Sequence, residues 1–250
     1  MKKIGLALGG GAVLGAAHVG VLKALEEKNI KISYIAGTSI GAFVAAFYAF
    51  NNNSEDIQKI AAKIKWMDIS KISLSKFGLL SNKKLGVLIR DYIGEKNIEQ
   101  SDIPLAMVTT DISNGKKIVL KKGSVADGVM ASTCIPGIFR PMEINTKLLV
   151  DGGVVENVPI DTVKEMGADF VIGVDLTARH SYLKPSNILD VIMNSFHFTL
   201  MTVANFQTKS ADLLIQPDLS SFNMTDTKQV KDLIQQGYKE AKTALKKLAN

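Results

Sequence analysis

Gly37-Thr38-Ser39-Ile40-Gly41 sets a hydroxyl between two glycines, directly after one apolar run and ahead of another rich in Ala and Phe. That spacing fits a nucleophile elbow, in which a serine on a strained strand-to-helix turn holds its Oγ clear at the sheet edge. Small neighbours let the helix pack close to the strand, and the helix N-terminus stabilises negative charge that develops beside the serine. A plain glycine-rich turn with a capping serine has the same five residues, so the pentapeptide alone leaves both readings open. Upstream, Gly9-Gly10-Gly11-Ala12-Val13-Leu14-Gly15 leaves several backbone N–H groups unobstructed for a phosphate or an oxyanion. A dinucleotide site requires G-x-G-x-x-G and an acid at the end of the next strand. Here Gly9, Gly11 and Gly15 miss that spacing, and the next apolar run ends in Ala36-Gly37 without an acid. No Gly-Lys-Ser/Thr follows, so a Walker loop is excluded as well. The oxyanion reading survives.

A nucleophilic serine needs a base, and the candidates by chemistry are His18, His180, His197 or a carboxylate. Asp151 closes the apolar run 147–150 and precedes Gly152-Gly153. That is a strand's carboxyl end, where open α/β sheets build their sites. An ordinary Asp-Gly turn has the same look. The order Ser39, Asp151, His180 also matches the α/β-hydrolase order of a Ser–Asp–His triad. His18 follows the glycine loop and suits a packing or hydrogen-bonding role. His197, between Phe196 and Phe198, belongs to a packed or interfacial helix face. Cys134 reads as an inert buried thiol.

Periodicity supplies the elements that must position these groups. Residues 3–8, 32–36, 105–110, 117–120, 147–150 and 170–175 read as strands. Residues 12–28 and 40–50 have helical spacing, and 51–65 reads as a helix capped at Ser54 with Glu55 and Asp56 in its first turn. Residues 66–80 alternate Ser, Lys and Ile without a period, which suits a surface loop or cap. After a break at 183–187, helical spacing resumes to Gln207, with Met193, Leu200 and Met201 as core. Residues 227–248 form an amphipathic helix with Leu233, Ile234, Tyr238, Ala241 and Leu245 on one face and lysines on the other. Strands alternating with helices give an α/β fold, a three-layer α/β/α sandwich with a mainly parallel central sheet. No repeat or linker divides residues 1–250, so one domain is expected, its C-terminal helical part over 186–250.

Composition narrows the function classes. A chain of 250 residues with 46% hydrophobic and 22% charged residues is not a disordered tail, a collagen-like repeat or a coiled-coil rod. One cysteine excludes an internal disulfide framework and a multi-cysteine metal site, and it fits a cytoplasmic location. A net charge of +6 from scattered lysines suits an anionic membrane surface or nucleic acid and demands neither. With 6% aromatic residues, a base-stacking platform for nucleic acid is not expected. Lys2 and Lys3 before an apolar stretch have the outline of a secretory signal, but Gly9-Gly10-Gly11 breaks that stretch. Residues 34–50 are apolar yet short of a membrane span, and they contain the serine turn.

Together these motifs resemble the patatin-like phospholipases, specifically the small bacterial members. The resemblance covers residues 4–176 and begins with the glycine loop running into Gly15-Ala16-Ala17-His18-Val19-Gly20-Val21-Leu22. It continues through the 37–41 elbow, Pro104-Leu105, Thr109-Thr110-Asp111, and Ala131-Ser132 leading to Ile135-Pro136-Gly137-Ile138-Phe139-Arg140-Pro141. It closes with Asp151-Gly152-Gly153-Val154-Val155-Glu156-Asn157-Val158-Pro159. The resemblance implies a patatin-like sandwich and a Ser39–Asp151 dyad, with Ser39 as nucleophile and Asp151 as base. An acyl-serine intermediate and an oxyanion hole of the Gly10, Gly11 and Ala12 N–H groups come with it. The implied activity is hydrolysis of an acyl-ester lipid of phospholipid or lysophospholipid type, without metal or cofactor and with peripheral membrane contact. Two residues depart from the family loop Gly-Gly-Gly-x-Arg/Lys-Gly. Ala12 stands at the third glycine and keeps a usable N–H if its φ is negative. Leu14 stands at the basic residue and removes a cation from the site, which leaves open a weakly active or non-catalytic lipid-binding protein on the same fold.

Overall fold

The structure, a computed structural model, describes residues 2–63, 71–75, 78–179, 184–224 and 226–247. In chain order the first half contains β1 (Ile4–Leu8), α1 (Ala16–Glu27), β2 (Ile32–Thr38), α2 (Ile40–Ala49), α3 (Ser54–Lys63), β3 (Lys71–Ser75), β4 (Gly78–Ser81) and α4 (Lys83–Ile93). There follow β5 (Leu105–Asp111), β6 (Lys116–Leu120), α5 (Val125–Ser132), β7 (Gly137–Phe139), β8 (Met142–Ile144) and β9 (Lys147–Asp151). The last elements are α6 (Ile160–Glu165), β10 (Phe170–Val174), α7 (Ile188–Gln207), β11 (Leu213–Ile215) and α8 (Val230–Lys246).

Strands β1 and β10 have no polar residue to turn toward water and β5 is buried along its whole length, as strands covered on both faces require. They lie in the centre of a sheet ordered β11-β10-β1-β2-β5-β9-β8, with β6 paired to β5. The sheet is parallel from β11 through β5 and antiparallel beyond. One face carries the larger core, where Leu22 and Leu25 of α1, Phe47 of α2, Ile57 of α3, Ile89 of α4 and Leu233 of α8 are buried. On the other face small side chains, Ala7, Ala36 and Ala106, accept Ile160 and Val163 of α6 and Ala204 of α7. This is the three-layer α/β/α arrangement expected from the alternation.

The register on β5 positions the chemistry. Strand β6 occupies one edge of β5 along residues 107–111. On the opposite edge β2 pairs as far as Thr38↔Val108, and β9 takes over at Thr109↔Asp151. The two strands therefore abut end to end, and their carboxyl ends meet at consecutive residues of β5.

Several sequence-based boundaries shift. The helix expected from Ala12 starts with a 3-10 turn over Ala12–Gly15 before α1. Helix α3 is capped by Asn53, whose Oδ1 accepts the Asp56 N–H at 3.0 Å, whereas the Ser54 hydroxyl donates to Glu26. Residues 66–80 are not all loop: β3 and β4 join β7 in a small second sheet, and 64–70 and 76–77 lie outside the described residues. The C-terminal helix is α8, entered through a 3-10 turn at Thr227–Gln229.

Candidate active site

Ser39 sits between the end of β2 and the start of α2 with φ 56° and ψ −126°, a conformation that costs a non-glycine residue about 1–3 kcal/mol. Its surroundings hold it there. A Cβ on Gly41 would lie 2.1 Å from the Leu8 carbonyl oxygen, and one on Gly37 would lie 2.3 Å from Gly41. Only glycines permit this approach of α2 to β1 and β2. The Ser39 N–H donates to Ser132 Oγ at 2.9 Å, and Ser132 Oγ donates onward to the Val108 carbonyl at 2.7 Å. Ser132 thus ties the turn to β5, a role that no local pattern in the sequence indicates.

Asp151 ends β9 and is fully buried. Its N–H donates to the Cys134 carbonyl, its carbonyl accepts from Thr110 Oγ1 at 3.0 Å, and its Oδ1 accepts the Gly153 N–H at 2.8 Å. Oδ2 accepts no hydrogen bond. Burial pushes the carboxyl up to about 7, opposed by the nearby Ser39 side chain and the Gly153 N–H. A group with that affinity for protons can both accept and return one near neutral pH.

The glycine loop is pinned from below. Fully buried His18 donates from Nε2 to the Gly9 carbonyl at 2.8 Å, and burial lowers its pKa to about 4, so it stays neutral as a structural anchor. The three N–H groups expected to form one hole are not equivalent. Gly10 donates to Asn157, at 3.0 Å to Oδ1 and 3.3 Å to the carbonyl. The Gly11 and Ala12 N–H groups have no acceptor among the described residues. Ala12 does not meet the negative-φ condition: its φ is 52°, a left-handed conformation that suits the glycine usual at this place. Ala12→Gly is expected to raise stability by about 1 kcal/mol, read as the urea midpoint. Leu14 also departs from expectation. Its side chain is fully buried in the larger core and does not face the site.

Beside Ser39 opens a pocket with a cavity volume of about 90 Å³, lined by Val19, Phe43, Val44, Leu85, Ile135 and Phe139, among others. No charged side chain among the described residues lines it, and Asn82 and Thr133 are among its few polar groups. The pocket was not foreseen from the sequence, since its walls come from elements distant along the chain. His197 is buried against Phe196 on α7, and Cys134 is a buried thiol pushed up to about 12 by burial. His180, the third member of the alternative triad, lies outside the described residues. Among the described residues no group of three His, Cys, Asp or Glu side chains could hold a metal ion.

A model of the patatin-like phospholipase family matches residues 6–164. The chain belongs to that family. It is 35% identical over 182 residues to an uncharacterized NTE family protein of Mycobacterium bovis, covering 72% of this chain and 50% of that one. It is also 35% identical over 190 residues to patatin-like phospholipase domain-containing protein 6 of Homo sapiens, covering 70% of this chain and 13% of that one. The patatin-like chain thus spans about half the length of the mycobacterial relative and a small part of the human one. Among solved structures it is similar in fold to VipD from Legionella pneumophila, with a TM-score of 0.57 at 14% identity over 98% of this chain and 67% of that chain. The type III effector ExoU aligns with a TM-score of 0.53 at 12% identity over 99% of this chain and 53% of that chain.

Proposed function

We propose that this patatin-like chain is a single-domain serine lipid acyl hydrolase acting through a Ser39–Asp151 dyad. The observation that carries the reading is the meeting of β2 and β9 on one edge of β5, which sets a strained serine and a buried, proton-avid carboxyl together beside an apolar pocket. Asp151 takes the Ser39 proton as Oγ attacks the ester carbonyl, and the Gly11 and Ala12 N–H groups receive the oxyanion. The leaving alcohol recovers the proton. Water then cleaves the acyl-serine by the same route, with no metal or cofactor. An apolar pocket without charged side chains beside the nucleophile suits an acyl chain, which makes a phospholipid or lysophospholipid the substrate class. Labelling with a fluorophosphonate probe, read by intact mass, is expected to give one adduct on the parent and none on Ser39→Ala. A well-folded parent that takes no label while still binding lipid would favour a non-catalytic binding protein.

The same reading gives the chain a lipid surface to work on. No helix among the described residues is long and apolar enough to cross a membrane. Helix α7, however, turns Ile188 (69% exposed), Val191, Phe198 and Phe206 (70% exposed) outward, and Asp190 is its one charged residue. Exposed Lys184 and Lys209 flank the helix, Lys209 Nζ lying 5.5 Å from the Phe206 ring. Apolar side chains between lysines suit the boundary of an anionic lipid surface. Vesicles containing phosphatidylglycerol should float the parent and float Ile188→Ser/Phe206→Ser less. Equal flotation of both would remove α7 from the contact.

A further inference from the structure

Two fully buried polar atoms at this site, Asp151 Oδ2 and Asn157 Nδ2, make no hydrogen bond with the protein. Native folds rarely leave such atoms unpaired, and a functional site is where the exception has a use. Asn157 is held firmly. Its N–H donates to Gln207 Oε1 at 3.0 Å, and Gln207 Nε2 donates back to the Val155 carbonyl at 2.9 Å. Because its Oδ1 accepts the Gly10 N–H, the other arm of the carboxamide must be the NH2 donor.

The carboxamide also stands among the reacting groups. A Cβ on Gly153 would lie 3.2 Å from Asp151 Oδ1 and 3.5 Å from Asn157 Oδ1. A Cβ on Gly10 would lie 2.8 Å from Asn157 Oδ1 and 3.2 Å from Ser39 Cβ. Asn157 therefore borders both the base and the turn that carries the nucleophile. Its spare donor and the spare acceptor of Asp151 are a complementary pair for one small molecule that both accepts and donates.

We propose that Asn157 is a positioning residue for deacylation, holding the hydrolytic water between its Nδ2 and Asp151 Oδ2. This rests on the dyad reading above. The Nδ2–H group donates to one lone pair of the water, one water O–H donates to Oδ2, and the second lone pair is left for attack. As the water oxygen bonds to the acyl carbon, its proton passes to Asp151. The acyl carbon–Oγ bond then breaks, Ser39 Oγ takes that proton back, and the free carboxylic acid leaves. Acylation does not use the carboxamide donor, because Ser39 hands its proton directly to Asp151. Loss of the donor therefore slows the second half of the cycle alone.

The test compares the parent with Asn157→Asp and Asn157→Ser in stopped-flow hydrolysis of p-nitrophenyl butyrate. Intact mass and fluorophosphonate labelling rates are measured alongside. Asn157→Asp keeps the shape and the acceptor for Gly10, so the loop is retained while the donor is lost. Expected are a fall in kcat of about 10²-fold with a parallel fall in KM, a burst of p-nitrophenolate, and butyryl-Ser39 accumulating in the mass spectrum. The labelling rate, which reports serine attack alone, stays near that of the parent when both are compared above the pH at which Asp151 has ionised. In Asn157→Asp the second carboxyl also moves the pH midpoints of labelling and deacylation upward together, because Asp151 is the base for both. Labelling and turnover that fall together without acyl accumulation would overturn the proposal and reduce Asn157 to a loop support. Unchanged kcat in both variants would overturn it equally. A parent that takes no label defeats the dyad reading and this inference with it.

Discussion

Asp151→Asn is expected to abolish ester hydrolysis and at the same time to stabilise the protein at alkaline pH. The first effect follows from the role of the carboxylate. An amide cannot take the Ser39 proton, and loss of a positioned general base lowers the rate by about 10²–10⁴-fold. For the parent, kcat/KM should rise with pH and level off above about 7, where buried Asp151 has ionised. The second effect comes from the same burial. A carboxyl held at about 7 in the fold, against 3.8 unfolded, binds its proton more tightly in the native state. Its contribution is fully present below the unfolded value and is lost as pH rises through the folded one. By pH 8 the difference approaches about 4 kcal/mol, an upper value for a group in a relaxing protein. Asp151→Asn lacks this loss, so urea midpoints of parent and variant should move apart between pH 5 and pH 8, with the variant the more stable at pH 8. Parallel midpoints across that range would mean that Asp151 titrates as an ordinary carboxyl, which would weaken its assignment as the base.

Leu14→Arg, which restores the basic residue usual in the family loop, is expected to unfold the protein rather than activate it. Leu14 has no exposed surface and packs in the larger core behind the loop. A guanidinium there would be buried in an apolar cluster, and burying an unpaired charge costs several kcal/mol on top of the lost leucine packing. A total of about 5 kcal/mol is comparable with the whole stability of many domains. The urea midpoint and the yield of folded protein measure this directly. A folded Leu14→Arg with raised turnover would show that the loop can swing this side chain into the site. In the mechanism proposed above, backbone N–H groups rather than a side-chain cation face the developing charge.

The glycine-bounded serine and the aspartate closing an apolar strand were legible because each motif is local. A strand, a tight turn and a helix N-terminus are written in adjacent residues, and strain at Ser39 is tolerated only where Gly37 and Gly41 allow close packing. The short strands β7, β8 and β11 and the helices α4, α5 and α6 were not assigned in advance. Their runs are brief, and tertiary pairing rather than periodicity makes them regular. Ser132 and Asn157 went without roles for a similar reason. Each acts by reaching a backbone N–H far away in sequence, Ser39 for one and Gly10 for the other.

By itself, then, the sequence determined the α/β class, the parallel core of the sheet, and the residue types able to supply a nucleophile, a base and free N–H donors. These follow from patterns that neighbouring residues enforce on one another through backbone geometry and period. Tertiary structure alone decided that Ser39 and Asp151 meet, because that depends on β2 and β9 sharing one edge of β5. It also turned Leu14 away from the site, gave Gly10 to Asn157, and raised the proton affinity of Asp151 by closing the core around it. Hydrogen-bond partners and the exclusion of water are properties of packing between distant segments, and no local pattern of residue types encodes them.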